Sequence, residues 1–201
     1  MITIIIIAIT AITSIRAFSD QQLYSKFIFA PHYMRKTNQW ERFFTYGLLH
    51  ADWTHLIFNM FAFYSFGQFV ENAFSQFYPS TGKWIYLLLY ITALPISSLM
   101  DYFKFRNNPN YMAVGASGAV SAVIFASILI HPKGGIFIFP IPFAIPAYIF
   151  GPLFLIFSAY MSKNAQDNIG HAAHFYGAVY GLIFTLICLP FVLPNFISQV
   201  F

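Results

Sequence analysis

The amino-acid sequence predicts an all-α, polytopic membrane protein, a bundle of six transmembrane helices that occupies residues 1–201 as a single domain. Hydrophobic residues make up 59% of the chain and charged residues 8%, whereas soluble domains carry about 25% charged residues. The 26 phenylalanines and 13 tyrosines suit lipid-facing surfaces and interfacial aromatic belts. Six apolar windows are long enough to cross a bilayer, which leaves no room for a separate soluble domain.

The six windows cover about residues 2–18, 54–74, 83–102, 113–131, 144–162 and 170–190. The first window resembles a secretion signal in its position only. No Lys or Arg precedes its apolar run Ile4–Ile7, the first basic residue is Arg16, and no clear small-residue cleavage site follows. We therefore expect the first window to be a retained helix.

The connections between the windows differ in character. Residues 19–53 mix aromatic with basic side chains, which predicts an amphipathic structure in the membrane interface. The connection at 131–146 contains Pro132, Pro140, Pro142 and Pro146, so it cannot be a regular helix. The short polar stretch 163–168 predicts a tight turn.

Charge and cysteine content give two further expectations. The net charge of +4 suggests loops beside the anionic lipids of a bilayer and not a nucleic-acid partner, although loops that serve only solubility would explain it equally well. Cys188, the one cysteine, lies in an apolar run. It can form no intrachain disulfide and is expected to act as a small hydrophobic residue.

Polar residues that are unusual in membrane helices occur at the starts of the second, fourth and sixth windows. Two crossings separate each of these helices from the next, so their N-terminal ends lie on the same side of the membrane. The residues are His50, Thr54, His55 and Asn59 in the second, Ser117 in the fourth, and His171 and His174 in the sixth. Such residues mark functional sites in membrane helices, so we expect one polar cluster at one depth.

Ser117 and His174 are the candidate catalytic pair. Ser117 stands in Gly115-Ala116-Ser117-Gly118, and small residues at four-residue spacing follow on both helices: Gly118, Ala122 and Ala126 on the fourth, Gly177 and Gly181 on the sixth. These faces would let the two helices approach closely enough for a direct hydrogen bond. His174 could then act as general base and general acid. The alternative is that both faces serve only helix packing.

His55 and Asn59 are the candidate oxyanion-binding residues. They are spaced i, i+4 and share one face of the second helix. An imidazole N–H, an amide NH₂ and the Ser117 backbone N–H at a helix start could stabilise an oxyanion together. The alternative is a polar pair that joins helices.

No carboxylate is positioned to complete a triad, because Asp167 lies seven residues before His174 and the other acids fall in loops or at helix ends. His171 and His174 also fit a metal-binding HxxH, which His55 could extend. The sequence has no HExxH motif and no carboxylate near these histidines, which disfavours metal-assisted hydrolysis. We therefore expect neither a metal nor an organic cofactor. His50 is expected to tie the first connection to the start of the second helix.

Three blocks of residues resemble the rhomboid intramembrane serine proteases. They are His50-x4-His55-x3-Asn59, Gly115-Ala116-Ser117-Gly118 and Ala173-His174-x2-Gly177-x3-Gly181, and they span helices two to six in the family's order. The resemblance implies a six-helix bundle that cleaves peptide bonds in or near single transmembrane segments of other proteins. It also implies Ser117 as nucleophile, His174 as base, and His55 and Asn59 in the oxyanion hole. Family members admit substrate beside a mobile fifth helix, here about residues 144–168.

The chain departs from the family pattern in three places. Trp40-Glu41-Arg42 has one residue more than the usual Trp-Arg, and Ser121 stands where many members carry an aromatic residue against the histidine. Phe125 or another aromatic residue would then orient His174.

The third departure is the charge distribution. The family's orientation, with a cytoplasmic N-terminus, leaves most basic loop residues outside, against the positive-inside rule. We follow the family's orientation because the first connection is expected to fold into the interface.

Three function classes remain in competition. The leading one is an intramembrane serine endopeptidase of the cell membrane, in a bacterium the inner membrane, that acts on single-span membrane proteins. The second is a catalytically inactive relative that binds transmembrane helices, and the third is a histidine-lined transporter or metal site. The presence of both Ser117 and His174 favours the first.

Overall fold

A computed structural model describes residues 1–137, 142–164 and 169–201. In these residues the chain forms ten α-helices, one 3-10 turn and one pair of two-residue strands. The helices are α1 Ile2–Ala17, α2 Gln21–Phe27, α3 Pro31–Thr37, α4 Arg42–Thr45, α5 Trp53–Phe77, α6 Gly82–Phe105, α7 Ser117–Ile130, α8 Ala147–Asn164, α9 His171–Cys188 and α10 Val192–Val200. The 3-10 turn is Tyr46–Leu48, and the strands are β1 Gly135–Ile136 and β2 Ile145–Pro146.

The predicted all-helical architecture is confirmed, and each of the six windows falls on one long helix, in order α1, α5, α6, α7, α8 and α9. Among the described helices, Gly82–Phe105 and His171–Cys188 are long and apolar enough on their own to cross a membrane. Ile2–Ala17 and Ser117–Ile130 are apolar but shorter. The count of six spans therefore stays a prediction.

The first connection folds into the three short helices α2, α3 and α4. Arg42 is buried within it and donates from Nη1 to the carbonyls of Ser25 (2.8 Å) and Ile28 (2.7 Å). Trp40 stacks on Phe43, with ring centroids 6.3 Å apart. The extra residue of Trp40-Glu41-Arg42 is thus accommodated with the guanidinium turned inward onto backbone carbonyls, where it satisfies groups that would otherwise be buried without partners.

Glu71 fixes the start of α1 from the far end of α5. Its buried carboxylate accepts hydrogen bonds from the backbone N–H groups of Ile2 (2.7 Å) and Thr3 (3.0 Å) and from the Thr3 hydroxyl (2.8 Å). The first N–H groups of a helix have no partner within the helix, and a carboxylate there also suits the positive end of the helix dipole. An acid from another helix therefore serves as the cap of α1.

The helix α7 lies at the centre of the fold, with all its residues from 118 to 129 buried except Ile124. It contacts α9 along the two predicted small-residue faces. A Cβ added to Gly177 would overlap the carbonyl oxygen of Gly118, and one added to Gly181 would overlap that of Ala122. Only glycine permits this approach, so the prediction of close packing between the fourth and sixth helices is confirmed.

The Pro-rich connection is not helical in its described part. It forms an antiparallel pair in which Gly135 faces Pro146 and Ile136 faces Ile145. Pro140 lies outside the described residues, as do Asp167 and most of the predicted turn at 163–168. Helix α8, which follows β2, is packed thinly: of its residues only Ala147, Gly151 and Ser158 are buried.

Candidate active site

Ser117 is the first residue of α7, directly after a sharp bend of the backbone. Gly115 has a φ of +119°, which side-chain-bearing residues rarely adopt, and its N–H donates to the carbonyl of Tyr46 (3.1 Å). Because Ser117 opens the helix, its own N–H has no partner in the preceding turn of the helix. The bend thus presents, at the same point, a hydroxyl and a backbone N–H that has no hydrogen-bond partner among the described residues.

His174 lies in the first turn of α9 and faces this hydroxyl. Its Nε2 is 2.8 Å from Oγ of Ser117, a normal hydrogen-bond distance. The contact of Gly177 with Gly118 holds the two helices close enough for this bond. Among the described residues no carboxylate contacts the ring of His174. Within the described residues the arrangement is a serine–histidine pair with no third acidic member.

The ring of His174 is flanked by aromatic groups from its own helix and from α8. Phe154 of α8 lies 6.3 Å away between centroids, and His171 lies 6.2 Å away. Ser121 is buried on α7. The sequence left the partner open between Phe125 and another aromatic residue, and Phe125 packs on Phe154 at 5.5 Å. The phenylalanine that pairs with His174 is therefore Phe154.

His55 lies against the glycine bend. A Cβ on Gly115 would lie 2.7 Å from Cε1 and 2.9 Å from Nε2 of His55. The backbone N–H of His55 donates to Oδ1 of Asp52 (2.8 Å), which caps α5, and its ring Nδ1 accepts from the N–H of Ala51 (3.4 Å). With Nδ1 as acceptor, the ring proton is on Nε2, beside Gly115. This donor lies beside Gly115, which stands two residues before Ser117 in the chain.

Asn59 is held by a chain of hydrogen bonds that reaches α1. The Ser14 hydroxyl donates to the carbonyl of Leu48 (2.8 Å), so its oxygen accepts from Nδ1 of His50 (3.0 Å). The other ring nitrogen, Nε2, then accepts from the side-chain NH₂ of Asn59 (2.7 Å). The relay fixes the amide with its NH₂ toward His50 and leaves its second N–H for another acceptor.

His50 must be neutral to play this part. It is almost fully buried, and burial lowers the pKa of its imidazole to about 3, with the neighbouring His55 acting in the same direction. The His50 and His55 rings meet edge to face at 4.8 Å. The predicted tie between the first connection and the start of α5 is present, and it passes through Asn59.

The sequence did not indicate two of these contributions. Ser14 looks like a neutral polar residue on an apolar helix, and only the three-dimensional packing of α1 on the first connection brings it to His50. Phe154 is one of many phenylalanines, and no spacing distinguishes it from Phe125 or Phe150.

His171 lies beside Phe157, with ring centroids 5.8 Å apart. Within the described residues no group of three or more His, Cys, Asp or Glu side chains could hold a metal ion.

Comparison with known proteins matches the sequence of this chain to one family. The family model described as "Rhomboid domain" matches residues 37–191. The chain is 31% identical over 181 residues to Rhomboid-related protein 1 of Caenorhabditis elegans, covering 87% of this chain and 46% of that protein.

Two further relatives come from a plant and a bacterium. RHOMBOID-like protein 12, mitochondrial, of Arabidopsis thaliana is 27% identical, covering 84% of this chain and 52% of the relative. Rhomboid protease GlpG of Haemophilus influenzae is 26% identical, covering 85% of this chain and 80% of the relative. The chain spans about half the length of the worm and plant relatives.

Proposed function

This chain belongs to the rhomboid family of integral membrane proteins, and on that basis we propose that it is an intramembrane serine endopeptidase. The observation that carries the proposal is the 2.8 Å hydrogen bond between Oγ of Ser117 and Nε2 of His174 at the start of two closely packed helices. A relative whose name calls it a rhomboid protease supports the same reaction class. The proposed substrates are membrane proteins with a single transmembrane segment.

In the proposed reaction, Oγ of Ser117 attacks the scissile carbonyl carbon while its proton passes to Nε2 of His174. The tetrahedral intermediate collapses when the C–N bond breaks, and His174 returns the proton to the leaving amine. Water then attacks the acyl-enzyme ester with His174 as base, which releases the carboxylic acid and restores the serine hydroxyl. No metal or organic cofactor enters these steps.

Three donors are available for the oxyanion in this proposal. The Ser117 N–H opens α7, the Nε2–H of His55 lies beside Gly115, and Asn59 keeps one N–H that His50 does not use. Preorganised donors of this kind act strongly in a site that excludes bulk water. His55 and Asn59 are therefore the proposed oxyanion-binding residues.

The proposal includes a placement in the membrane. The described helices form one bundle of six spans, α1, α5, α6, α7, α8 and α9, with the N-terminus in the cytoplasm and the Ser117 end of α7 toward the outside. In a bacterium this membrane would be the inner membrane. The whole chain, residues 1–201, would then act as a single catalytic domain.

The decisive experiment combines cleavage with active-site labelling of the purified protein in detergent. Ser117→Ala should abolish cleavage of a transmembrane reporter and leave the melting temperature near that of the wild type, because the change removes only the nucleophile. A serine-reactive fluorophosphonate should label the wild type but neither Ser117→Ala nor His174→Ala. Wild-type cleavage by Ser117→Ala would contradict the mechanism.

The same experiment separates the competing functions. A non-catalytic protein that binds transmembrane helices predicts no labelling of the wild type. A metal site predicts stoichiometric metal and loss of activity on chelation. Unchanged activity in chelator together with Ser117-dependent labelling supports the serine protease.

A further inference from the structure

Two phenylalanines of α8 face two histidines of α9. Phe154 pairs with His174 at 6.3 Å and Phe157 pairs with His171 at 5.8 Å between ring centroids. Both pairs are spaced i, i+3, so they lie one turn apart on adjacent antiparallel helices. The distances fall within the range at which aromatic rings interact favourably. The two ring pairs join α8 to α9, and one of them contains His174, the proposed general base.

The partners of the His174 imidazole are few. In the part of the chain that the structure describes, its one hydrogen bond joins Nε2 to Oγ of Ser117, and its ring partners are Phe154 and His171. In a triad, a carboxylate bound to Nδ1 would hold the ring in the correct orientation. Here no described group bonds to Nδ1, so packing against the ring has to supply that orientation.

Phe154 is itself fixed from two sides. Phe125, a fully buried residue of α7, packs on it at 5.5 Å, and Phe150 packs on it from the preceding turn of α8 at 5.5 Å. The row Phe125, Phe154, His174 therefore connects the helix of the proposed nucleophile to that of the proposed base through α8. A buried ring on α7 sets the position of Phe154, and Phe154 in turn limits the tilt of the imidazole.

We infer that Phe154 is a positioning residue that orients the imidazole of His174, which makes the competence of the general base depend on the docking of α8. The inference rests on the proposed function. It matters most in the second half of the reaction. When Oγ of Ser117 is esterified it no longer carries a proton to share with Nε2, so the ring loses its one hydrogen bond just when it must activate water. Of the described contacts, the rings of Phe154 and His171 then remain, and of these two only Phe154 belongs to another helix.

Helix α8 has fewer buried residues than any of the other five long helices, α1, α5, α6, α7 and α9. Only three of its residues are buried, and side chains such as Ile156 and Tyr160 are exposed. Ser158 is among the buried ones, and within the described residues its hydroxyl has no hydrogen-bond partner, which disfavours the docked position. A displacement of α8 would remove Phe154 from the base without disturbing the contact between α7 and α9.

The test compares Phe154→Leu with Phe157→Leu, a matched substitution one turn away on the same helix that faces His171. Phe154→Leu should lower kcat for the transmembrane reporter roughly 3- to 10-fold, the range into which the energy of an aromatic pair converts, with KM changed less than twofold. Phe157→Leu should stay within twofold of the wild type in kcat. Phe154→Tyr keeps the ring and should restore most of the lost rate.

Labelling by a fluorophosphonate supplies a readout that needs no entry of a transmembrane helix. Phe154→Leu should slow the labelling of Ser117 in parallel with kcat. Labelling at the wild-type rate or faster would overturn the inference, because a ring that only packs α8 against the bundle would open the site when removed. If Phe154→Leu lowers the yield of folded protein, Phe154→Met tests the same point with a flexible, non-aromatic side chain. Failure of the wild type to label would contradict the proposed function instead.

Discussion

At the residue scale, the orientation of the Asn59 amide depends on which nitrogen of His50 carries the ring proton. Since the Ser14 hydroxyl donates to Leu48, His50 has to carry its proton on Nδ1, and its Nε2 can only accept. This condition turns the NH₂ of Asn59, and not its carbonyl, toward His50. A reversed amide would place its oxygen where a donor now stands. The proposed oxyanion donor is thus oriented by a hydroxyl on α1, the helix at the opposite end of the sequence from His174.

This relay predicts a pH dependence of stability. The pKa of His50 is lowered to about 3 by burial, whereas histidine in an unfolded chain titrates near 6.5. Between these values the unfolded state binds a proton that the folded state does not. The stabilisation due to neutral His50 is therefore complete above about pH 6.5 and is lost as the pH falls toward the folded value.

His50→Leu should be less stable than the wild type at pH 7, because Asn59 and Ser14 lose a buried partner, a loss of roughly 1–3 kcal/mol. The difference in melting temperature should shrink as the pH is lowered from about 7 to 4, since only the wild type then has this imidazole to protonate. Thermal unfolding in detergent at several pH values measures the difference. His131→Leu, at an exposed histidine, is the control, and a pH-independent difference for His50→Leu would contradict the prediction.

At the element scale, the contact between α7 and α9 sets the serine–histidine distance. Gly177 lies on the carbonyl of Gly118 one turn below the hydrogen bond between Ser117 and His174. This contact has no room for a side chain. Even a methyl group on Gly177 would overlap backbone atoms of Gly118, which cannot rotate away. The spacing of small residues along both helices made this feature predictable from sequence.

Gly177→Ala should therefore separate the two helices. We expect a loss of roughly 1–3 kcal/mol in stability, as for other overpacked cores, and a more than tenfold loss of cleavage because the base moves away from the nucleophile. Gly151→Ala on α8 is the matched control, since its Cβ would lie 3.5 Å or more from Ile128 and Phe125. Melting temperature and reporter cleavage of both variants test this, and equal effects at the two glycines would refute it.

The sequence predicted the elements better than the contacts between them. Ser117 and His174 could be paired because helix parity and small-residue spacing are both encoded locally. The aromatic neighbour of His174 could not be chosen, because Phe125, Phe150 and Phe154 all belong to the same region and only the crossing of α8 over α9 selects Phe154. Helix α10 was not predicted either, since Val192–Val200 follows a proline and is too short to resemble a span.

At the scale of the whole molecule, two features of the sequence favour opposite orientations in the membrane. The six proposed spans would place the start of α6 and the end of α8 on opposite sides, whichever way the bundle is inserted. Lys83 and Lys163 stand at these two points and are both exposed. The positive-inside rule and the family resemblance favour different sides, because the first connection concentrates basic residues yet folds into short helices that need not be translocated as a free loop.

Single-cysteine variants decide between the two orientations. In a Cys188→Ser background, Lys163→Cys should react with a membrane-impermeant maleimide in intact cells, and Lys83→Cys only after lysis, because the Ser117 end of the bundle is proposed to face outward. The intact-cell signal of the two variants gives the answer directly. The reverse pattern would show that the positive-inside rule governs insertion. Labelling of both variants in intact cells would contradict the six-span topology, which places the two positions on opposite sides of the membrane.

The glycine bend before Ser117 gives a way to sort sequences without an assay. At position 115 a side chain would face a backbone conformation it rarely adopts and a histidine ring within 3 Å. A homologous chain that keeps both serine and histidine but carries a bulkier residue two places before the serine could not hold its second-helix histidine as this chain does. In a survey of related sequences, we expect a glycine two places before the serine in the enzymes. A bulkier residue there would mark helix-binding relatives that have kept the serine and the histidine.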